Sequence, residues 1–171
     1  DDALKAKEAT IDSRTDLTDE EKAAAKADAK AKAYEVKKNI DTATTDAEVD
    51  QAKSTGTTEV NSVNPTAQSK PAAKQAIDDA LKTKEAAIDS RTDLTDEEKA
   101  VAKADAKAKA DEAKKNIDTA TTDEAVSQSK TAGTTEVNSV NPTAQSKPAA
   151  KQAIDDALKA KETEIDSRTD L

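Results

Sequence analysis

Apolar residues recur along the chain in three- and four-residue steps, the spacing of one face of an α-helix. From Ser69, Ala73, Ile77, Leu81, Lys84 and Ile88 follow this rule, and Lys70-Pro71 opens the stretch with proline in the tolerated first turn. The spacing predicts a helix ending between Ser90 and Thr92, with Arg91 placed to favour the exposed carbonyls at its C-terminus. Thr95-Asp96-Glu97-Glu98 then reads as a Thr-x-x-Glu capping box opening a second helix of about 24 residues, or ~36 Å. Its inner stripe is Ala102, Ala106, Ala110, Ala113, Ile117 and Ala120; the matching earlier stripe is Ala25, Ala29, Ala33, Val36, Ile40 and Ala43. A third helix is predicted from the box Thr45-Asp46-Ala47-Glu48, with inward positions Val49, Ala52, Gly56, Val60 and Val63. Gly56 costs about 1 kcal/mol in a helix interior, so it marks either close approach of a neighbouring helix or a local break.

The pattern repeats every 77 residues. Between residues 1–77 and 78–154, 66 positions agree and 11 differ, and Thr57 to Ile77 returns unchanged as Thr134 to Ile154. Such a period suits a small self-contained domain rather than one hairpin of a solenoid. The connector Asn64-Pro65-Thr66-Ala67-Gln68-Ser69-Lys70-Pro71 stops one helix and restarts another. The predicted fold is all-α, with tandem up-down-up three-helix bundles stacked end to end into an elongated rod. The expected divisions are 1–64 (first helix truncated), 65–141 (complete) and 142–171 (linker and a third first helix), placed at the longest connector; grouping second, third and following first helices as one bundle is the rival that the sequence leaves open. An odd number of helices sends the two ends of a bundle in opposite directions under either grouping.

The copies differ mostly at small or polar positions. Tyr34 is matched by Asp111, which predicts an exposed site. Ala47-Glu48 becomes Glu124-Ala125, which predicts a capping box moved to Thr121. Val36 becomes Ala113, trimming the inner stripe, and Val101 for Ala24 lies too far along to compensate. The second copy is therefore expected to be the less stable.

Composition tempers this reading. Charged residues make up 37% of the chain and aromatics 1%, the net charge is −9, and Leu, Ile and Val together number 21 in 171. Those values alone describe a disordered, solvated spacer; the helix formers, the apolar spacing and the caps argue for folding. An alanine seam lets helices approach closely but contributes little transfer energy per residue, so each bundle should be marginal. No basic face is available for nucleic acid, and no apolar run approaches the ~18 residues of a membrane span.

Candidate chemistry is sparse. The chain has no histidine or cysteine, which removes the commonest general base, thiol nucleophile and metal ligands. The acidic run Asp19-Glu20-Glu21 reads as a first turn complementing the helix dipole, and Asp12 to Asp19 lacks the glycine and closing glutamate of a calcium loop. No glycine-rich phosphate loop occurs. No catalytic, cofactor-binding or metal residue is assigned, no cofactor is expected, and the protein is not expected to be an enzyme.

Ile11-Asp12-Ser13-Arg14-Thr15-Asp16-Leu17-Thr18-Asp19-Glu20-Glu21-Lys22, followed by Ile40-Asp41-Thr42-Ala43-Thr44-Thr45-Asp46-Ala47-Glu48-Val49, resembles a tandem helical repeat of unknown function. That repeat occurs in Gram-positive cell-wall-anchored surface proteins of the extracellular-matrix-binding-protein-homologue and methicillin-resistance surface-protein type. The resemblance covers essentially the whole chain. It implies an extracellular, cell-wall setting and a stalk role with possible contributions to adhesion or biofilm, and it carries no site residues. The leading expectation is thus a monomeric, non-catalytic stalk or spacer whose partners are its neighbouring repeats. The alternative is a helical module recognising a host serum or matrix protein, against which one tyrosine and one arginine per repeat (Arg14, Arg91, Arg168) weigh.

Overall fold

The computed structural model describes residues 1–168. The predicted third segment, 142–171, therefore has its last three residues outside the described ones. Among the described residues there are seven helices and no strand: α1 Asp2–Asp12, α2 Asp19–Thr42, α3 Asp46–Ser62, α4 Ser69–Asp89, α5 Asp96–Thr119, α6 Asp123–Ser139 and α7 Ser146–Asp166. The helices open where the caps predict. The Thr18 hydroxyl accepts from the Glu21 amide at 3.3 Å while the Glu21 carboxylate accepts from the Thr18 amide at 3.0 Å. Thr45 with Glu48 and Thr95 with Glu98 repeat this exchange.

Two compact units emerge. One comprises residues Asp1–Ala76 with Ala113–Ala132, the other Ile77–Glu112 with Gly133–Leu171. In the first unit α1, α2 and α3 pack pairwise. The ion pairs Glu8–Lys30 and Asp12–Lys26, and the bond from Lys37 to Asp1, run α1 antiparallel to α2. Ile11, Ala25, Ala29 and Val63 make its core, with Leu4 against them. In the second unit the core is Ile88, Ala102, Ala106 and Val140, with Leu81 against it. Each of these residues lies 77 positions after its counterpart, so the two copies bury the same register.

The alanine stripe of α5 is buried along its whole length, from Ala102 to Ala120. In α2 burial fades toward the C-terminus, where Ile40 and Ala43 are half-buried, and Val49 of α3 is 36% exposed. The physical reason is covering length: α1 has 11 residues where α4 has 21. This wider exposure in the first copy opposes the advantage expected from Val36. Val101 is 72% exposed and adds nothing to the core, and Tyr34 is 69% exposed as predicted.

Two local expectations need correcting. The cap of α6 does not move to Thr121: the helix starts at Asp123, and the Thr122 hydroxyl accepts from the Ala125 amide at 3.2 Å. The hydroxyl half of the box survives at its original register, and Ala125 cannot supply the reciprocal carboxylate. Arg91 does not serve the helix end: its guanidinium forks onto Asp93 at 2.7 and 2.5 Å, a bidentate pairing that outcompetes single bonds to carbonyls.

α3 runs unbroken through Gly56, which is buried, so the glycine marks close packing. A Cβ there would collide with Val36 Cγ1 and lie 2.7 Å from Val36 Cβ. Two β-branched carbons on a packed helix have little room to withdraw. Gly56→Ala is therefore expected to lower stability by about 1–3 kcal/mol despite alanine's better helix propensity. In a Val36→Ala background the two Cγ contacts are gone but the Cβ of residue 36 stays 2.7 Å away, so the same change should still destabilise, by clearly less. Urea melts of the four variants in a double-mutant cycle check this attenuation.

Candidate functional site: the joint between copies

The densest polar network in the first unit lies where the second copy begins, and the segment Leu17-Thr18-Asp19-Glu20-Glu21 builds it. Leu17 and Thr18 are 2% and 0% exposed, pinning the loop before α2. That leaves the first turn of α2 facing three other chain segments. One Glu21 oxygen holds the Thr18 amide, and the other accepts from the Gln68 and Ser69 amides at 2.8 and 3.0 Å. A single carboxylate thus satisfies orphan donors at the starts of both α2 and α4. Glu20 accepts from the Asp123 amide at 2.9 Å, capping α6 from outside. Its neighbour Asp19 donates its amide to the Thr121 carbonyl at 2.7 Å. Ser69 closes the ring by donating to Asp123 at 2.6 Å.

Lys70 is the buried cation of this joint, 5% exposed. Its Nζ donates to the carbonyls of Thr15 and Asp118, both at 2.8 Å. A charge leaves water only where such partners replace hydration, and the Asp118 carbonyl lies in the last turn of α5, the negative end of the helix dipole. Lys74 pairs with the Asp118 carboxylate. On the other side of the loop Arg14 forks onto Asp16 at 2.7 and 2.5 Å and donates to the Pro65 carbonyl at 3.1 Å, tying the linker to the loop.

The second unit repeats half of this arrangement. Glu98 accepts from the amides of Thr95, Gln145 and Ser146 at 2.8–2.9 Å, and Lys147 donates to the Thr92 carbonyl at 2.6 Å. Both linkers flank an open cleft beside the acidic first turn. The first is about 420 Å³ beside Glu21, Asp28 and Pro65, and the second about 510 Å³ beside Glu98, Asp105 and Pro142.

Electrostatics follow the bonds. Amide donors from Ser146, Thr95 and Gln145 hold the Glu98 carboxyl down at about 2. For Glu21 the largest single effect is desolvation, which raises its pKa, but the amides of Ser69, Thr18 and Gln68 together outweigh it and the net direction is down. Asp16 and Asp93 are each lowered to about 2, chiefly by their arginine partners. Among the described residues no group of three or more acidic, histidine or cysteine side chains is arranged to hold a metal ion, and no helix is long and apolar enough to cross a membrane. What the arrangement does chemically is fasten remote segments of the one chain to each other.

The acidic run read from sequence as a dipole-complementing first turn keeps that role and gains a second one at the starts of α4 and α6. The roles of Lys70, Leu17 and Glu20 were missed. The available signal was the complete identity of the Asp-Leu-Thr-Asp-Glu-Glu-Lys run and of the linker in both copies, apolar Leu17 included.

The family model described as Domain of Unknown Function (DUF1542) matches residues 1–68 and again 69–145. The chain belongs to the DUF1542 family. This is a repeat domain found in Gram-positive surface proteins, with no function assigned. No curated protein and no solved structure matches the chain. The second DUF1542 match begins at Ser69, the residue whose amide Glu21 holds, so the family repeat starts at the joint.

Two outcomes follow for the DUF1542 joint. Lys70→Met should cost about 1–3 kcal/mol, because two buried carbonyls lose their donor; Lys147→Met, at an exposed lysine, should cost clearly less, as read from urea midpoints. Carboxyls held below their ordinary pKa near 4 contribute stability that is present above that value and lost as the pH falls toward about 2. Stability should therefore be level from pH 7 to about 5 and decline through about 4 to 2. Glu98→Gln should lower it at pH 7 and flatten the acid decline, measured by denaturant melts across that range.

Proposed function

We propose that the chain is a non-catalytic spacer: DUF1542 bundles joined end to end into an elongated stalk that holds another domain away from a Gram-positive cell surface. The observation that carries this reading is the joint itself. Glu21 anchors the first amides of α4, Glu20 the Asp123 amide at the start of α6, and buried Lys70 clasps the Thr15 and Asp118 carbonyls. A flexible tether needs none of these bonds, whereas a spacer that transmits direction needs its linker fixed on both sides. The uneven helix count supports the same reading, since a three-helix unit delivers the chain to the end opposite its start. Family membership supports the cell-surface setting. The absence of histidine and cysteine from the sequence fits a structural role.

Small-angle scattering on chains of one, two and three repeats tests the proposal. A maximum dimension rising linearly with copy number is expected. Growth as the square root of length, the signature of a flexible coil, would overturn it.

A further inference from the structure

Each linker borders a cleft that the polar joint leaves open, and the two clefts are built alike. Beside the first, α4 and α6 are already seated on Glu21 and Glu20, so the following copy does not cover it. Its floor is Ala25, Val63 and Pro65; Ala102, Val140 and Pro142 floor the second. Carboxylates supply the walls. Glu21 and Asp28 line the first cleft and Glu97, Glu98 and Asp105 the second, while no lysine or arginine lines either. Glu21 and Glu98 spend their oxygens on helix amides. Asp28 and Asp105 do not: both are exposed, and among the described residues neither makes a hydrogen bond or ion pair. The next cations on that stripe, Lys32 and Lys109, stand one turn beyond the aspartates and outside the clefts.

We infer that each cleft is a docking site for a lysine-rich, cationic segment of a partner protein. Charge complementarity carries the choice of occupant. A lysine matches the two-part lining, because its aliphatic stem lies along the alanine, valine and proline floor while its ammonium reaches the unpartnered aspartate. Val101 is a second, independent sign. It stands in the second cleft where the first has Ala24, and it is 72% exposed. An apolar side chain that gives nothing to its own core gains when a partner's stem covers it.

The net charge of −9 draws such a partner in from a distance and repels a second copy of this chain. The occupant brings the cation, so the single arginine in each repeat does not weigh against binding of this kind. One cleft accompanies each linker, which makes attachment multivalent: a partner with several basic segments is held by many individually weak contacts. The inference goes beyond the spacer reading and stands independently of it, since a rigid and a flexible array present the same clefts.

Fluorescence anisotropy of a labelled dodecapeptide of Lys-Ala-Ala triplets, titrated with the whole chain, tests the docking. Saturable binding is expected, with Kd below about 1 mM near 0.05 M salt and weaker by about tenfold at ~0.5 M. Asp28→Asn combined with Asp105→Asn should weaken it by about threefold or more. Asp50→Asn combined with Asp155→Asn removes the same charge from exposed sites outside the clefts, and should change Kd by less than about twofold. Circular dichroism should show the same helicity for both double variants. Absence of saturable binding would overturn the inference. Equal weakening by the two pairs would do so as well, by assigning the attraction to overall charge. So would a sedimentation mass above one chain without peptide that Asp28→Asn with Asp105→Asn abolishes, because a second copy would then occupy the clefts.

Discussion

One carboxylate shared between two helix termini organises the meeting of the copies. Every α-helix begins with amides that its own backbone cannot satisfy, and an isolated bundle must meet them with local caps or water. Glu21 does more: one oxygen completes the box with Thr18 and the other holds Gln68 and Ser69. Because Glu20 does the same for Asp123, the start of α2 organises the starts of α4 and α6. A negative charge beside converging helix N-termini is favoured by their dipoles as well as by the bonds, and the amides it accepts from hold the Glu21 carboxyl low in pKa against its desolvation.

That arrangement suits a chain with a weak interior. Alanine lines most of each seam, and its burial releases far less free energy than leucine or isoleucine would. Close approach partly offsets the deficit. Gly56 lets α3 press on Val36, and the alanines let neighbouring helices come near enough for dense packing. Polar joints supply the remaining definition. Their cost is a dependence on ionised carboxylates, which a seam of leucines would not carry.

The same economy explains the contrast between the copies. Core positions coincide at a shift of 77, from Ile11 and Ile88 to Val63 and Val140, yet burial differs where the covering helix differs in length. Val126 is enclosed and Val49 is not, although both are valines on equivalent turns. Identity of side chain sets what a position can bury; the neighbouring element sets whether it does.

The sequence by itself determined the helices, their caps and the inward stripe. These depend on spacing and on bonds spanning three or four residues, which Thr95 with Glu98 or Ala102 to Ala120 display without any tertiary information. It also determined the repeat, and through the Asp-Leu-Thr-Asp-Glu-Glu-Lys run the family. Only the tertiary structure decided what those carboxylates and lysines do. Glu21 and Ser69 stand 48 residues apart, Glu20 and Asp123 stand 103 apart, and no periodicity reports a bond over such distances. Lys70 looked like any other surface lysine, because burial of a long cation depends on carbonyls contributed by a loop and a helix end remote in sequence. The failed expectations at Thr121 and Arg91 have the same origin: local pattern proposes partners, and a better-placed partner elsewhere takes the bond.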